Sequence, residues 1–248
     1  MRLTERVYLV GSGANGLYIS HRSDCTIYAV DCDGPIVLVD AGVGGEGANM
    51  VLDNLRRDGL DPQAITHLLI THKHADHCGG AAELHERLGL TVAATEHTGI
   101  ALRNGDEEMI SLLAAKRAGL YDPDYVFRAC PVDIVLADNK TLTVGDITFT
   151  MLDTPGHCAG HCAFTFRHAG KLHFFGGDNV FNGGKILLQN IPDCDLQAHL
   201  RTVRRLAQLD VDVFLPGHTM PCLREGYQHL RTAAARLNEL LVPMGMKG

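Results

Sequence analysis

The sequence predicts a layered α/β fold, and three features carry that expectation. Strand-like and helix-like segments alternate in two halves of the chain. The run Pro35-Ile-Val-Leu-Val39 is apolar without a break and ends on the carboxylate of Asp40, as expected of a strand covered on both faces. Several strands end directly on short turns that carry glycine and a polar residue. With 248 residues, a single domain spanning 1–248 can bury an ample core. Apolar residues make up 46% and charged residues 21%, which excludes wholesale disorder. Tryptophan is absent and aromatics are 6%, so aliphatic side chains must supply most of the core.

The elements follow in order. Residues 7–10 read as a strand, followed by a glycine-rich turn at 11–16. Strands at 25–30 and 35–39 are joined by a turn at 31–34. Residues 46–58 have helical periodicity, with Met50, Val51, Leu52 and Leu55 apolar and Gly59 as the stop. A strand at 65–71, a helix at 77–88 and a short strand at 91–94 complete the first half. Residues 95–131 hold helical pieces, notably 106–118, then a connection bearing proline, tyrosine and aspartate. Strands are predicted at 133–137, 141–144, 147–153, 162–167 and 171–176, then a helix at 195–209, a strand at 212–215 and a helix at 223–241.

The net charge of −7 argues against a nucleic-acid surface, which needs a basic face to neutralise phosphates. No apolar run approaches the roughly 18 residues of a membrane span, and the opening Met-Arg-Leu-Thr-Glu-Arg carries no export signal. The eight cysteines are therefore expected to be reduced thiols in a cytoplasmic protein. Cys158 and Cys162 read as small packing residues. The pattern Gly11-x-Gly-x-x-Gly16 matches a dinucleotide fingerprint, but β-rich sequence follows it instead of a helix, so a turn near the mouth of a site is expected.

The unusual count is fourteen histidines. The run Thr71-His72-Lys-His74-Ala-Asp76-His77 follows a buried strand directly. Imidazole nitrogen and carboxylate oxygen are the usual donors to zinc and similar divalent ions. His72 and His74 share one face of an extended loop, while Asp76 and His77 open a helix and point at a second position. The bland alternative is a solvated polar loop. Three further turns have the same layout of strand, glycine and one candidate ligand: Leu152-Asp-Thr-Pro-Gly-His157, Phe175-Gly-Gly-Asp178 and Phe214-Leu-Pro-Gly-His218. One such turn is weak evidence; four converge on a site.

Together these motifs resemble the metallo-β-lactamase-fold superfamily, over about residues 7 to 220. Its His-x-His-x-Asp-His signature is met by residues 72–77, and its later metal positions by His157, Asp178 and His218. The resemblance implies a four-layer αβ/βα sandwich with its site at one edge. It implies that His72, His74 and His157 hold a first metal, that Asp76, His77 and His218 hold a second, and that Asp178 bridges both. Asp40 would fix ligand orientation from behind. The implied cofactors are two divalent metal ions, zinc foremost, with iron or manganese accepted by the same donors. The implied reaction is hydrolysis by a metal-bridging hydroxide, with Asp76 accepting a proton from the attacking water and no serine or cysteine nucleophile.

Within that superfamily, Asp178 argues against antibiotic hydrolysis, since true β-lactamases usually lack the bridging aspartate. Glyoxalase II is similar in Thr154-Pro-Gly-His157 and Gly160-His161, but thirty residues after His218 leave no room for its C-terminal glutathione-binding domain. Quorum-quenching lactonases carry tyrosine where this chain has Phe181. The expected substrate is a small anionic ester, thioester or lactone, because two divalent ions leave the cluster net positive. Two alternatives stand beside it: a mononuclear iron persulfide dioxygenase, and a metal-binding sensor without turnover. Phe181, Lys185, Tyr121 and Tyr125 are candidate substrate contacts, and Phe127 and Arg128 would supply further aromatic and cationic contacts. The segment 98–131 is read as a lid or as an interface insertion, and homo-oligomerisation is left open. His161 reads as a hydrogen-bonded turn residue, His67 as structural, and His21 as a surface residue.

Overall fold

In a computed structural model describing residues 1–240, the central strands divide their side chains between two apolar interfaces. The strand Ile36–Val39 (β3) shows how. Leu38 faces a cluster shared with helices, while Val37 and Val39 face the opposite way, toward a second sheet. Period-two alternation on a strand buried on both faces requires this uninterrupted apolar run.

The first sheet places Val7–Gly11 (β1), Ile27–Asp31 (β2), β3, Ile65–Leu69 (β4), Thr91–Thr95 (β5) and Ile134–Leu136 (β6) side by side in that order. Its first three strands are antiparallel and the rest run parallel. The second sheet is built from Thr141–Val144 (β7), Ile147–Asp153 (β8), Cys162–His168 (β9), Lys171–Gly177 (β10) and Val213–Pro216 (β11), in the order β11-β10-β9-β8-β7. Between the sheets lies a core of residues such as Leu9, Val30, Leu69, Phe149, Phe164, Phe175 and Leu215.

Helices cover the outer faces. On the first sheet pack Glu46–Arg57 (α1), the single turn Ala75–Cys78 (α2), Ala81–Leu88 (α3), Glu96–Asn104 (α4) and Leu112–Arg117 (α5). On the second pack Leu196–Leu206 (α6) and Tyr227–Leu240 (α7), through Leu200, Val203, Leu206 and Leu230. The architecture is a four-layer αβ/βα sandwich. In α1, Glu46 in the first turn and Arg56 and Arg57 in the last complement the helix dipole, and Val51, Leu52 and Leu55 turn inward. Asp195 starts α6 by accepting from the amides of Gln197 (2.8 Å) and Ala198 (3.0 Å).

Some sequence expectations are corrected. The helix predicted at 77–88 is two helices, broken at Gly79-Gly80. A β-carbon at Gly80 would lie 2.4 Å from the Ala41 carbonyl oxygen, and the Gly80 amide donates to Gly42 (2.8 Å). The predicted helix 106–118 shortens to α5, because Ser111 takes a left-handed φ of 58°. The strand predicted at 25–30 starts two residues late: the amides of Cys25 and Thr26 bond instead to the carbonyls of Asp76 (3.1 Å) and Gly217 (2.6 Å). The last helix begins at Tyr227, since Cys222 is paired with Phe214; its predicted last residue, 241, lies outside the described residues. Met50 is on the exposed side of α1. Among the described residues, no helix is long and apolar enough to cross a membrane, and all eight cysteines are unpaired.

Candidate metal centre

Every candidate ligand sits just past the end of a strand. β4 delivers the loop Thr71–His77, β8 leads to His157, β10 to Asp178 and β11 to His218. The loops meet at one edge of the sandwich because glycine lets them approach closely. A β-carbon at Gly217 would stand 2.2 Å from Asp178 Oδ1 and 2.7 Å from His77 Cε1.

Two clusters result. In the first, His74 Nδ1 lies 3.2 Å from His72 Nε2 and 3.0 Å from His157 Nε2. In the second, Asp76 Oδ2 lies 3.0 Å from His218 Nε2 and 3.6 Å from His77 Nε2. Asp178 stands between them. Its Oδ1 is 3.3 Å from His77 Nε2, and its Oδ2 is 3.4 Å from His218 Nε2 and 3.7 Å from His157 Nε2.

The charges differ between clusters. Burial pushes His72 well below the usual histidine range, lowers His74, and takes His157 down to about 3. Burial also works against protonation of His218, but Asp178 and Asp76 outweigh it and hold the ring up to about 10. His77 is likewise raised well above its usual value against the effect of burial, by Asp178, Asp76 and Asp40. Burial would raise Asp76, yet His77 and His218 hold it down at about 2.

The donor set fits divalent metal ions. His77 Nε2 and Asp178 Oδ1 are buried without a hydrogen-bond partner, although they face each other across the centre. Buried polar atoms left unpaired cost about 1–3 kcal/mol each, and a cation shared by these atoms would satisfy them.

Asp40 lies behind the ligands, at a left-handed φ of 64°. Its Oδ1 accepts from the Thr71 amide (2.8 Å), and its Oδ2 accepts from Thr71 Oγ1 (2.8 Å) and His77 Nδ1 (2.8 Å). The Asp40 bond leaves His77 Nε2 as the nitrogen turned toward the centre. His161 Nε2 accepts from the Asp178 amide (3.0 Å), which leaves its Nδ1 proton for Thr154 Oγ1 (2.9 Å). His161 also stacks on His72 at 4.8 Å.

The candidate substrate contacts are placed differently from one another. The Phe181 ring is buried 6.0 Å from the His218 ring. Lys185 is exposed on the following stretch, its carbonyl accepting from the Phe181 amide (2.8 Å). Tyr121 is half-buried against Tyr125, ring centres 5.5 Å apart, and burial pushes its phenol upward. Tyr125 donates its hydroxyl proton to the Val43 carbonyl (3.0 Å), which ties that group to the scaffold. Phe127 and Arg128 do not join the ligand clusters: Phe127 is in the core, and Arg128 pairs with Glu86 (2.5 Å). The 11–16 turn is pinned beside His218, with the Thr219 amide donating to the Asn15 carbonyl (2.8 Å).

Sequence reading missed several residues. Lys73 is buried within the ligand loop and pairs with Asp193. Its position between two histidines on an extended loop was the available signal: alternation turns it away from the centre, into protein. Asn179 and His199 were also missed; His199 Nε2 donates to the Asn179 carbonyl (2.7 Å), bracing the residue after Asp178.

The chain is similar to hydroxyacylglutathione hydrolases. It is 31% identical to that of Xanthomonas campestris pv. campestris over 204 residues, which are 82% of this chain and 61% of the relative. It is 30% identical to that of Cereibacter sphaeroides over 155 residues, 62% of this chain and 48% of the relative. The chain thus spans less than two thirds of the length of these relatives. Its fold is similar to that of a metallo-beta-lactamase from Cronobacter sakazakii, with TM-score 0.73, 19% identity and coverage of 97% of this chain and 96% of the other. A metallo-beta-lactamase family protein from Thermus thermophilus gives TM-score 0.73 at 24% identity, covering 96% and 81%. The family model of the metallo-beta-lactamase superfamily matches residues 22–218, and the chain belongs to that superfamily.

Proposed function

We propose that the protein is a metal-dependent hydrolase with a binuclear centre, acting on an ester, thioester or lactone of a small anionic molecule. The observation that carries this reading is Asp178, within 3.3–3.7 Å of histidine nitrogens in both clusters. The fit to a hydroxyacylglutathione hydrolase along 82% of the chain supports a thioester among the three bond types. His72, His74 and His157 would hold one ion, Asp76, His77 and His218 the other, and Asp178 both. Two divalent ions, zinc foremost, would supply Lewis-acid polarisation of the scissile carbonyl and would lower the pKa of water.

The chain's own residues do the rest. Asp76 and Asp178 contribute two negative charges against four from the ions, so the centre attracts a carboxylate-bearing substrate. Asp76 is the proton acceptor: its side chain is 20% exposed against 6% for Asp178, so water and substrate can reach it. Asp40 and His161 keep His77 and Asp178 aimed. Phe181 excludes water beside His218, and Tyr121 borders the mouth from the 98–131 segment.

Metal analysis of protein purified without added metal, paired with a panel of esters, thioesters, lactones and phosphodiesters, tests this. About two equivalents of zinc, manganese or a mixture, with turnover of anionic carbonyl substrates, is expected. One equivalent of iron, with oxygen uptake on glutathione persulfide, would overturn it in favour of a dioxygenase. Two equivalents with no turnover on the whole panel would favour a sensor.

A further inference from the structure

Lys73 has a side chain only 1% exposed, an unusual place for an ammonium group. It donates to the Ala159 carbonyl (3.2 Å) and to Asp193 Oδ2. Those bonds join three segments: the loop carrying His72 and His74, the turn carrying His157, and the stretch that leads into α6. The remaining oxygen, Asp193 Oδ1, is buried with no hydrogen-bond partner, and so is His74 Nε2. Donor atoms of His74, Cys158 and Asp193 lie within 4.8 Å of one another.

His74 turns Nδ1 toward His72 and His157. A neutral imidazole that offers Nδ1 as a lone-pair donor carries its proton on Nε2, and that proton needs an acceptor. Asp193 Oδ1 is an acceptor without a donor in the same neighbourhood, within 4.8 Å of a His74 ring nitrogen but not directly bonded to it. We infer that Asp193, held in place by Lys73, is the positioning carboxylate of His74, closing that gap onto Nε2 when an ion takes Nδ1, whereas Asp40 already bonds His77 directly (2.8 Å). The Lys73 charge has a specific role in this arrangement. It neutralises Asp193, so that the carboxylate serves as a hydrogen-bond acceptor behind the ligand and does not compete with the ligands for the ion. The inference rests on the reading of the site as a metal centre.

Cobalt(II) titration of the metal-free full chain tests it, read by chelator competition and by the ligand-field spectrum, with the melting temperature of the metal-free protein alongside. Asp193→Ala should weaken the equivalent bound at the His72/His74/His157 cluster about 10- to 100-fold and shift its spectrum. Asp193→Glu should restore most of that affinity. The double variant Lys73→Met/Asp193→Ala should stay as weak as Asp193→Ala. Recovery in the double variant would mean that an uncompensated lysine caused the loss, and would overturn the assignment. Wild-type affinity and spectrum in Asp193→Ala would do the same. So would a third equivalent bound by wild type and lost in Asp193→Ala, since Asp193 would then be a ligand beside Cys158. Should Asp193→Ala fail to fold, Asp193→Asn keeps the volume with a weaker acceptor and must show a smaller loss in the same direction. A wild-type chain that takes up no cobalt would sink the metal-centre reading itself, and that outcome is distinct from the others.

Discussion

His72, His74 and His157 are buried neutral nitrogen donors, whereas Asp76, His77 and His218 carry charge, and two of them, Asp76 and His218, partly face solvent. The same loop feeds both clusters: residues 72 and 74 serve one, residues 76 and 77 the other. Their difference arises from what lies behind each. The first cluster is surrounded by buried imidazoles, so burial decides and the rings shed protons. The second is surrounded by Asp40, Asp76 and Asp178, so carboxylates decide and the rings hold protons against burial. An ion entering the first cluster meets free lone pairs. An ion entering the second must displace protons and gains carboxylate charge in return.

Asp178 is where the comparison breaks most severely, because it touches both sides. Asp178→Asn keeps the shape and removes the charge. It should lower metal content at both clusters and cut turnover by more than about 100-fold, since partners outside a ligand set already cost 10- to 100-fold. Metal analysis and kinetics on the same preparation check this, and full activity would remove the bridging role. Asp40→Asn should sharpen the contrast. Asp40 contacts His77 and Thr71, so second-cluster affinity should fall about tenfold or more while the first changes little. Equal losses at both clusters would mean that Asp40 holds the whole loop and does not act on one ligand.

Proton release reads the same contrast in the unmodified protein. His218 sits at about 10 and His77 well above its usual value in the metal-free chain, so both are protonated at pH 7. The sign follows. Filling the second cluster should release about two protons, and its affinity should climb with pH until those rings are neutral. The first cluster, with His157 at about 3, should release almost none near neutrality. Calorimetry in buffers of different ionisation enthalpy separates the two events. Equal release from both would show that the clusters are electrostatically alike.

How much was legible in the sequence follows the same division between local and distant. The run from His72 to His77 announces itself because its donors are within six residues. His157, Asp178 and His218 were legible because each follows a strand and a glycine turn. The Lys73–Asp193 pair was not, since its partners are 120 residues apart and Asp193 lies in an ordinary polar stretch. The break at Gly79-Gly80 was hidden for a similar reason: it answers to the Ala41 carbonyl on another loop and not to helix propensity. Phe127 looked available for substrate because it sits among tyrosines, but it is drawn into the cluster under the helices with Leu102 and Cys130. Local patterns fix what an element is; which face it buries is decided by partners far along the chain.

The smallest expected effect concerns the rim of the second cluster. Phe181 is buried and its ring centre is 6.0 Å from that of His218, whereas the first cluster packs against imidazole, His161 stacking on His72 at 4.8 Å. Phe181→Leu keeps an apolar side chain of lesser width, so the protein should lose less than about 1.5 kcal/mol of stability. Water gains access beside His218, which raises the local dielectric and weakens the hold of Asp76 and Asp178 on its proton. The His218 titration in the metal-free variant should therefore move down from about 10 toward the ordinary range, and second-cluster affinity should change by a few-fold at most. His157 should not move, because its neutrality comes from burial on the other side of Asp178. Imidazole NMR titration of the two rings measures both at once. If His157 shifted as far as His218, the two clusters would be sharing one solvent boundary, and the contrast drawn between them would have to be given up.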